Sequence, residues 1–455
     1  MISPLKRKIY GREEYNNKKR KIEEKISIDI IRYILIFLDY NYCIDTLQYV
    51  NKLFLKCVRY GMITIKDDLN GLKNYRQINI EGSKIDNDTF NKIINGSKFL
   101  EILRITNCSD VNDINLNMLS KLKELSLKNC NNLKGDFLNS LSELKTFDSI
   151  TIKNCTNIKS GDLFKLVSRP LKKIIISLRD NDLSYLDHVN LLQLETINIE
   201  VYRDVFHDRC LYNFFKNLTT NNSLHTLTIN FCGYYLFVNH DKLLSYTSHL
   251  KLKHLNISGG KNMGNFTFKC NFESLETFIL YNAYIRTDYL IKILNDTTVL
   301  KEFKIGFDDT PAKSILDINI VLKKVKQIST LTYLHLNCTN IYNTGLRYLN
   351  KFNLKKLDIY NSYRLSTDCL KYIEDIKLHS LDLKNCYGCI TDNSLIYLKN
   401  MPLRNLSLYG NSINGKGLIH LKDLPLTSLN LEYTDISGDL SKYKRLFKHN
   451  VNIVW

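Results

Sequence analysis

The chain has 455 residues, a formal net charge of +18 and 12 cysteines. That length allows two or three ordinary domains or one elongated repeat array, and a hydrophobic share of 44% supplies a sizeable core. The basic excess is thin along the chain except in residues 1–25, and no RNA-recognition, zinc-finger or helix-turn-helix pattern accompanies it, so no nucleic-acid partner is expected.

Residues 1–25 hold nine Lys or Arg against four Glu and read as a disordered basic tail. Within it, Lys6-Arg7 and, ten residues on, Lys18-Lys19-Arg20-Lys21 have the form of a bipartite nuclear-import signal. A merely solvated basic tail is the alternative. The opening residues are polar and basic rather than a secretory leader. No run of about 18 uncharged apolar residues follows, so no membrane span is expected and a cytoplasmic or nuclear location is.

Residues 26–57 carry two apolar faces at helical spacing: Ile30, Ile31, Ile34, Leu35 and Leu38, then Leu47, Val50, Phe54 and Cys57. One reading is a helical cap over the open edge of whatever repeat array follows, since solenoids need such caps. The segment also resembles the F-box, a family that begins Leu-Pro-x-Glu-Ile-Leu, continues Ile-Leu-x-x-Leu and ends Val-Cys-Lys-x-Trp. Ile26, Asp29, Ile30, Ile31, Ile34, Leu35 and Leu38 match the first part, and Val50, Lys52 and Phe54 the last, with one extra residue between them. Ser27 replaces the usual Pro and Phe54 the usual Trp. The resemblance implies a small all-α domain at 26–60 that binds a Skp-type adaptor through Ile26, Ile30, Ile31, Ile34, Leu35, Leu38, Val50 and Phe54.

A connector at 61–74 leads to internal repetition over 75–455. Leu100-Glu-Ile-Leu-Arg-Ile-Thr-Asn-Cys108, Leu122-Lys-Glu-Leu-Ser-Leu-Lys-Asn-Cys130 and Leu378-His-Ser-Leu-Asp-Leu-Lys-Asn-Cys386 share the pattern L-x-x-L-x-L-x-N-C. An apolar residue followed at +3 and +5 by two more recurs at fifteen starts: Tyr75, Leu100, Leu122, Phe147, Leu171, Leu194, Leu224, Leu252, Leu275, Leu300, Leu331, Leu354, Leu378, Leu403 and Leu426. Spacings run from 22 to 31 residues. The x-L-x-L part predicts a short strand with both leucines on one face. The stretch after it often predicts an amphipathic helix, as in Thr391–Leu398. One strand and one helix cannot bury their apolar faces alone, so the units must stack.

This resembles the cysteine-containing leucine-rich repeats. The expected architecture is an α/β solenoid, a horseshoe of about 15 repeats with parallel strands concave, helices convex and a C-terminal cap. Cys108, Cys130, Cys155, Cys232 and Cys386 share position nine of the repeat and are read as packing residues rather than a disulfide framework. Cys386-Tyr-Gly-Cys389 has the spacing of a metal half-site but no second pair, so no metal and no cofactor is expected.

No phosphate loop, His-Glu-x-x-His or Gly-x-Ser-x-Gly motif occurs, and the ten histidines are scattered. Binding rather than catalysis is expected. Strand positions between and after the leucines project from the concave face. Most are polar, such as Asn79, Thr151, Asn198 and Asn256. Ile175, Leu178, Val201 and Phe231 break the pattern on three successive repeats, and Tyr281, Phe307, Tyr333, Tyr360, Tyr409 and Tyr433 break it along the later ones. The second group is the expected target-binding surface. Leu178, Val201, Phe231 and Phe307, just past their strands, have a second possible placement, turned inward beneath a loop. An F-box before leucine-rich repeats implies a substrate-recognition subunit of an SCF-type cullin–RING ubiquitin ligase, bridging a Skp-type adaptor to a protein target. The rival is a non-catalytic scaffold whose N-terminal helices only cap the array.

Overall fold

The computed structural model describes residues 62–65, 76–82, 85–167, 169–177, 190–201, 208–232, 249–259, 271–282, 285–307, 316–337, 340–438, 441–447 and 451–455. They form two compact units that divide near residue 171. The first holds strands β1 (Met62–Ile65), β2 (Gln77–Glu81), β3 (Ile102–Thr106), β4 (Glu124–Lys128) and β5 (Ser149–Lys153). Strand β6 (Lys173–Ser177) carries residues of both units. The second holds β7 (Thr196–Val201), β8 (Thr226–Phe231), β9 (His254–Ser258), β10 (Thr277–Tyr281), β11 (Glu302–Gly306), β12 (Tyr333–Asn337), β13 (Lys356–Tyr360), β14 (Ser380–Asp382), β15 (Asn405–Ser407), β16 (Ser428–Asn430) and β17 (Asn452–Val454).

Each unit is a ladder of parallel strands in strict repeat register. In the first, Leu103 lies beside Leu125 and Leu125 beside Ile150. In the second, Phe278 pairs with Phe303, Phe303 with Leu334 and Leu334 with Leu357. Equivalent apolar residues therefore stack on one another, and the two strand leucines of each repeat are buried. Burying one such side chain is worth about 1.5–3 kcal/mol, and the residues stacked on it belong to neighbouring repeats. These are the stacked parallel repeats that the spacing predicts, in the solenoid that the resemblance to leucine-rich repeats implies.

Strand β1 extends the first ladder ahead of the first expected repeat, pairing Ile63 with Ile78 and Ile65 with Ile80. It lies in the stretch read as a connector, yet Tyr60-x-x-Ile63-x-Ile65 satisfies the repeat template.

The helical side follows its own apolar spacing. Phe90, Ile93 and Ile94 in Asn87–Asn95, and Leu290, Ile293 and Leu294 in Thr287–Asp296, recur at i, i+3 and i+4 and are buried on α-helices. Leu395 and Leu398, like Leu418 and Leu421, recur at i and i+3 only. A 3₁₀ turn of three residues aligns such a pair, and Asp392–Leu398 and Lys416–Leu421 are 3₁₀ helices. Thr391–Leu398 is thus not the α-type amphipathic helix expected, although Thr391 and Ser394 cap it reciprocally.

The Asn-Cys pair that ends the strongest repeats has two separate causes. Asn107, Asn129, Asn154, Asn361 and Asn385 are left-handed, with φ between 51° and 57°, a conformation Asn tolerates better than other side-chain-bearing residues. Their amides also form a ladder: Asn129 Nδ2 donates to Asn107 Oδ1 at 2.8 Å and Asn154 Nδ2 to Asn129 Oδ1 at 3.1 Å. The cysteine that follows turns inward. Cys108, Cys130, Cys155 and Cys386 are buried, and the Cys386 thiol donates to the Ile359 carbonyl of the preceding repeat at 3.3 Å. Burial pushes the Cys108 thiol up to about 11. Cys232 is exposed, contrary to its expected packing role; Phe231, which stands where other repeats place the left-handed asparagine, is still in β8, so this strand runs one residue longer than most before it turns.

Asn129→Ala is expected to lower stability by about 1–2 kcal/mol through the left-handed penalty alone, with a further loss from the two amide bonds. Asn129→Gly should recover the first part and not the second. Urea unfolding of the two variants beside the parent protein separates the contributions.

Candidate functional site

Alternation in each strand leaves three side-chain rows on the face turned away from the core. In the second unit the register aligns them across repeats. The row before the first strand leucine reads Glu302, Tyr333, Lys356. The middle row reads Lys304, His335, Asp358, Asp382, Ser407. The row after the second leucine reads Tyr281, Gly306, Asn337, Tyr360.

Large residues meet between the rows. The Tyr281 ring leans across the neighbouring strand, where a Cβ on Gly306 would stand 2.6 Å from its Cε1, so glycine is what admits the ring. Tyr281 then meets His335 edge to face at 5.8 Å between centroids, and His335 meets Tyr360 in the same manner at 4.7 Å. Such pairs add about 0.5–1.5 kcal/mol beyond the area they bury.

The hydroxyls are tied down as well. Tyr333 donates to Asp358 Oδ2 at 2.6 Å, and Tyr360 donates to Asp382 Oδ2 at 2.7 Å. His335 Nδ1 stands 3.3 Å from the same Asp358 oxygen and Lys356 Nζ 3.6 Å from it. Two ammonium groups lie over the Tyr333 ring, Lys356 at 4.2 Å and Lys304 at 4.9 Å, while Lys304 also pairs with Glu302 at 2.7 Å. Further along, Lys384 lies 4.4 Å over Tyr409, whose ring sits 4.9 Å from Tyr433.

This network shifts its members apart. Burial pushes the Tyr281 hydroxyl up to about 12, and burial with carboxylate contacts raises Tyr333 and Tyr360. Burial acts against the charged form of both aspartates. At Asp358 it is overcome by hydrogen bonds from His335 and Tyr333 and by the Lys356 charge, and the pKa falls. At Asp382 burial prevails over the Tyr360 and Ser407 hydrogen bonds, and the pKa rises.

The six residues expected to form a target surface fall into distinct places. Tyr281, Tyr333 and Tyr360 are half-buried and join one network through His335 and Asp358. Tyr409 and Tyr433 form a second pair, Tyr433 being 76% exposed on a left-handed turn. Phe307 is half-buried one residue past β11. Of the other group, Phe231 is buried, which answers its two possible placements in favour of the inward one, and Ile175 is half-buried. Leu178 and the Val201 side chain lie outside the described residues, as do Ile26, Ile30, Ile31, Ile34, Leu35, Leu38, Val50, Phe54 and the basic tail. His335, Asp358 and Asp382 were not singled out from sequence. The signal available was three titratable residues at the middle strand position of three consecutive repeats.

No protein-family model matches the chain, and no curated protein matches its sequence. Solved structures do. Rad7, from the crystal structure of the Rad7 and Elc1 complex in yeast, superposes with a TM-score of 0.50 at 14% identity, over 100% of this chain and 98% of that one. A leucine-rich-repeat protein of Leptospira interrogans gives 0.37 at 15% identity, over 84% and 91%. The mouse RP105/MD-1 complex gives 0.45 at 16% identity, over 89% and 68%. At these identities the likeness is one of fold: the chain is a leucine-rich-repeat solenoid. Among the described residues no helix is long and apolar enough to cross a membrane.

The opposite shifts of the two aspartates predict opposite pH behaviour. A lowered carboxylate contributes stability that is present above its unfolded pKa and lost as pH falls through the folded value. Asp358→Asn should therefore cost most at neutral pH, its deficit vanishing in acid. A raised carboxylate contributes stability below its unfolded pKa that is lost as pH rises through the folded value. Asp382→Asn should be neutral or stabilising at pH 7 and lose that advantage in acid. Melting temperatures of both variants between pH 3 and 8 check the signs.

Proposed function

We propose that the chain is the target-recognition subunit of an SCF-type cullin–RING ubiquitin ligase, located in the cytoplasm or nucleus. Residues 26–60 act as an F-box that binds a Skp-type adaptor, and the outward strand face around Tyr281, Tyr333 and Tyr360 holds the protein target. The observation that carries this reading is the F-box-like pattern of residues 26–57 placed directly before a leucine-rich-repeat array. The outward face supports the second half: aromatic groups held in place by hydrogen bonds lose little freedom on binding, which favours them as anchors. A fold of this length is also found assembled with another protein, in the Rad7 and Elc1 complex. The chain itself supplies binding and no chemistry.

Strand β1 favours a second reading. It brings the open edge of the first ladder to residue 62, a few residues past the segment in question, and an edge needs covering. In that case residues 26–57 only cap a scaffold.

Replacing Ile34 and Leu38 by Asp separates the two. Unpartnered charges cost several kcal/mol on an apolar interface, so an adaptor co-purifying with the parent protein should be lost while circular dichroism stays unchanged. Loss accompanied by unfolding returns the segment to a cap. On the strand face, Tyr281→Ala combined with Tyr360→Ala should weaken target capture tenfold or more, with no greater loss of melting temperature than the ring contacts to His335 and the Tyr360–Asp382 hydrogen bond account for. A lowered melting temperature with target capture intact would instead make these rings part of the core.

A further inference from the structure

Asp358 and Asp382 stand side by side in register on β13 and β14. In each carboxylate Oδ2 accepts a tyrosine hydroxyl, whereas Oδ1 is buried and has no hydrogen-bond partner among the described residues. Asp358 is only 2% exposed. A buried acceptor without a donor is costly, and a charged one more so; here two occur on adjacent strands of one face. The nearby cations do not serve them. Lys356 reaches Asp358 through Oδ2, and Lys384 is stacked on Tyr409. A pair of donor-hungry oxygens beside an aromatic wall is a preorganised acceptor for an incoming group.

We propose that Asp358 and Asp382 receive a guanidinium group, an arginine side chain on the protein target held by this strand face. This rests on the strand-face reading given above and names the chemistry it selects. A guanidinium is planar and carries five donors in a fixed fork, so one group serves two carboxylates at once. An ammonium is a compact point charge, of which the site already has several. The flat faces of a guanidinium also stack on aromatic rings, and the half-buried Tyr360 supplies one beside Asp382. Access runs through Tyr360, which is half-buried and whose hydroxyl is held by Asp382; donors from the guanidinium replace that bond and leave the ring to stack on the newcomer. Charge complementarity is local, because a chain of net charge +18 repels a polycation elsewhere.

The probe is fluorescein-labelled hexa-arginine, titrated by fluorescence anisotropy against the full chain at near-physiological salt, with hexa-lysine as the comparison. Hexa-arginine should bind at least tenfold more tightly than hexa-lysine. The double variant Asp358→Asn/Asp382→Asn should weaken it tenfold or more while leaving hexa-lysine unchanged. Tyr360→Phe, which keeps both carboxylates, should retain binding. Where the double variant does not fold, Asp382→Asn alone should still lose most of the preference for arginine. Equal binding of the two peptides, or arginine binding indifferent to both aspartate substitutions, overturns the proposal and leaves a proton shared between the carboxylates as the account of the bare oxygens. Target capture separates this from the broader reading. Failure of the arginine arm, with target still lost on Tyr281→Ala/Tyr360→Ala, removes the guanidinium site alone. Target capture indifferent to the tyrosines removes the strand face as a whole.

Discussion

A five-residue strand with two inward leucines cannot bury them by itself, and everything else in the molecule follows from that deficit. The leucines of one repeat are covered by those before and after, so the strands must lie parallel and in register. Register in turn demands that every repeat leave its strand in the same way. The left-handed asparagine does this, turning the chain at the same point in successive repeats, while its amide joins the next one across the turn. The following cysteine then returns its thiol to the preceding strand. The local conformation and the inter-repeat contact are set by adjacent residues, and neither is separable from the burial that drives stacking.

The same register builds the outward face without further instruction. Once leucines are aligned inward, the residues between them are aligned outward whatever their identity. A His, an Asp and a second Asp at one position of three repeats become immediate neighbours although 23 or 24 residues separate them in sequence. Repeat proteins thus obtain a composite site from residues that are never local to each other. Aromatic bulk still has to be accommodated, and Gly306 does so by leaving the space that the Tyr281 ring fills.

This explains what could be read in the chain and what could not. The inward residues announce themselves by period, because a buried position tolerates little but Leu, Ile or Phe. Helix type was legible too, had the i+4 position been weighed: Leu290, Ile293 and Leu294 make an α-helix, Leu395 and Leu398 a 3₁₀ turn. Strand β1 matches the template at Tyr60, in the stretch read as a connector, as well as the fifteen later starts do. The outward tyrosines were visible as exceptions to a polar row. Their partners were not, since His335, Asp358 and Asp382 conform to that row as polar residues, and only the register gives them each other. Phe231 shows how far the alternation runs: β8 continues to it, and two residues past the buried Ile229 it falls on the same inward face.

Charge completes the argument about partners. The net excess of basic residues would suit a polyanion if it were gathered on the outward face. On β11 to β14 it is not. Lys304, Lys356 and Lys384 are met by Glu302, Asp358 and Asp382 on the same strands and the residues adjoining them. The lysines are moreover committed: two lie over Tyr333 and one over Tyr409, and two are paired with carboxylates. Ammonium groups held against rings cover apolar surface with their stems and leave the face amphipathic. Such a surface discriminates by shape and by single well-placed charges rather than by net field, which is the manner in which one folded protein recognises another.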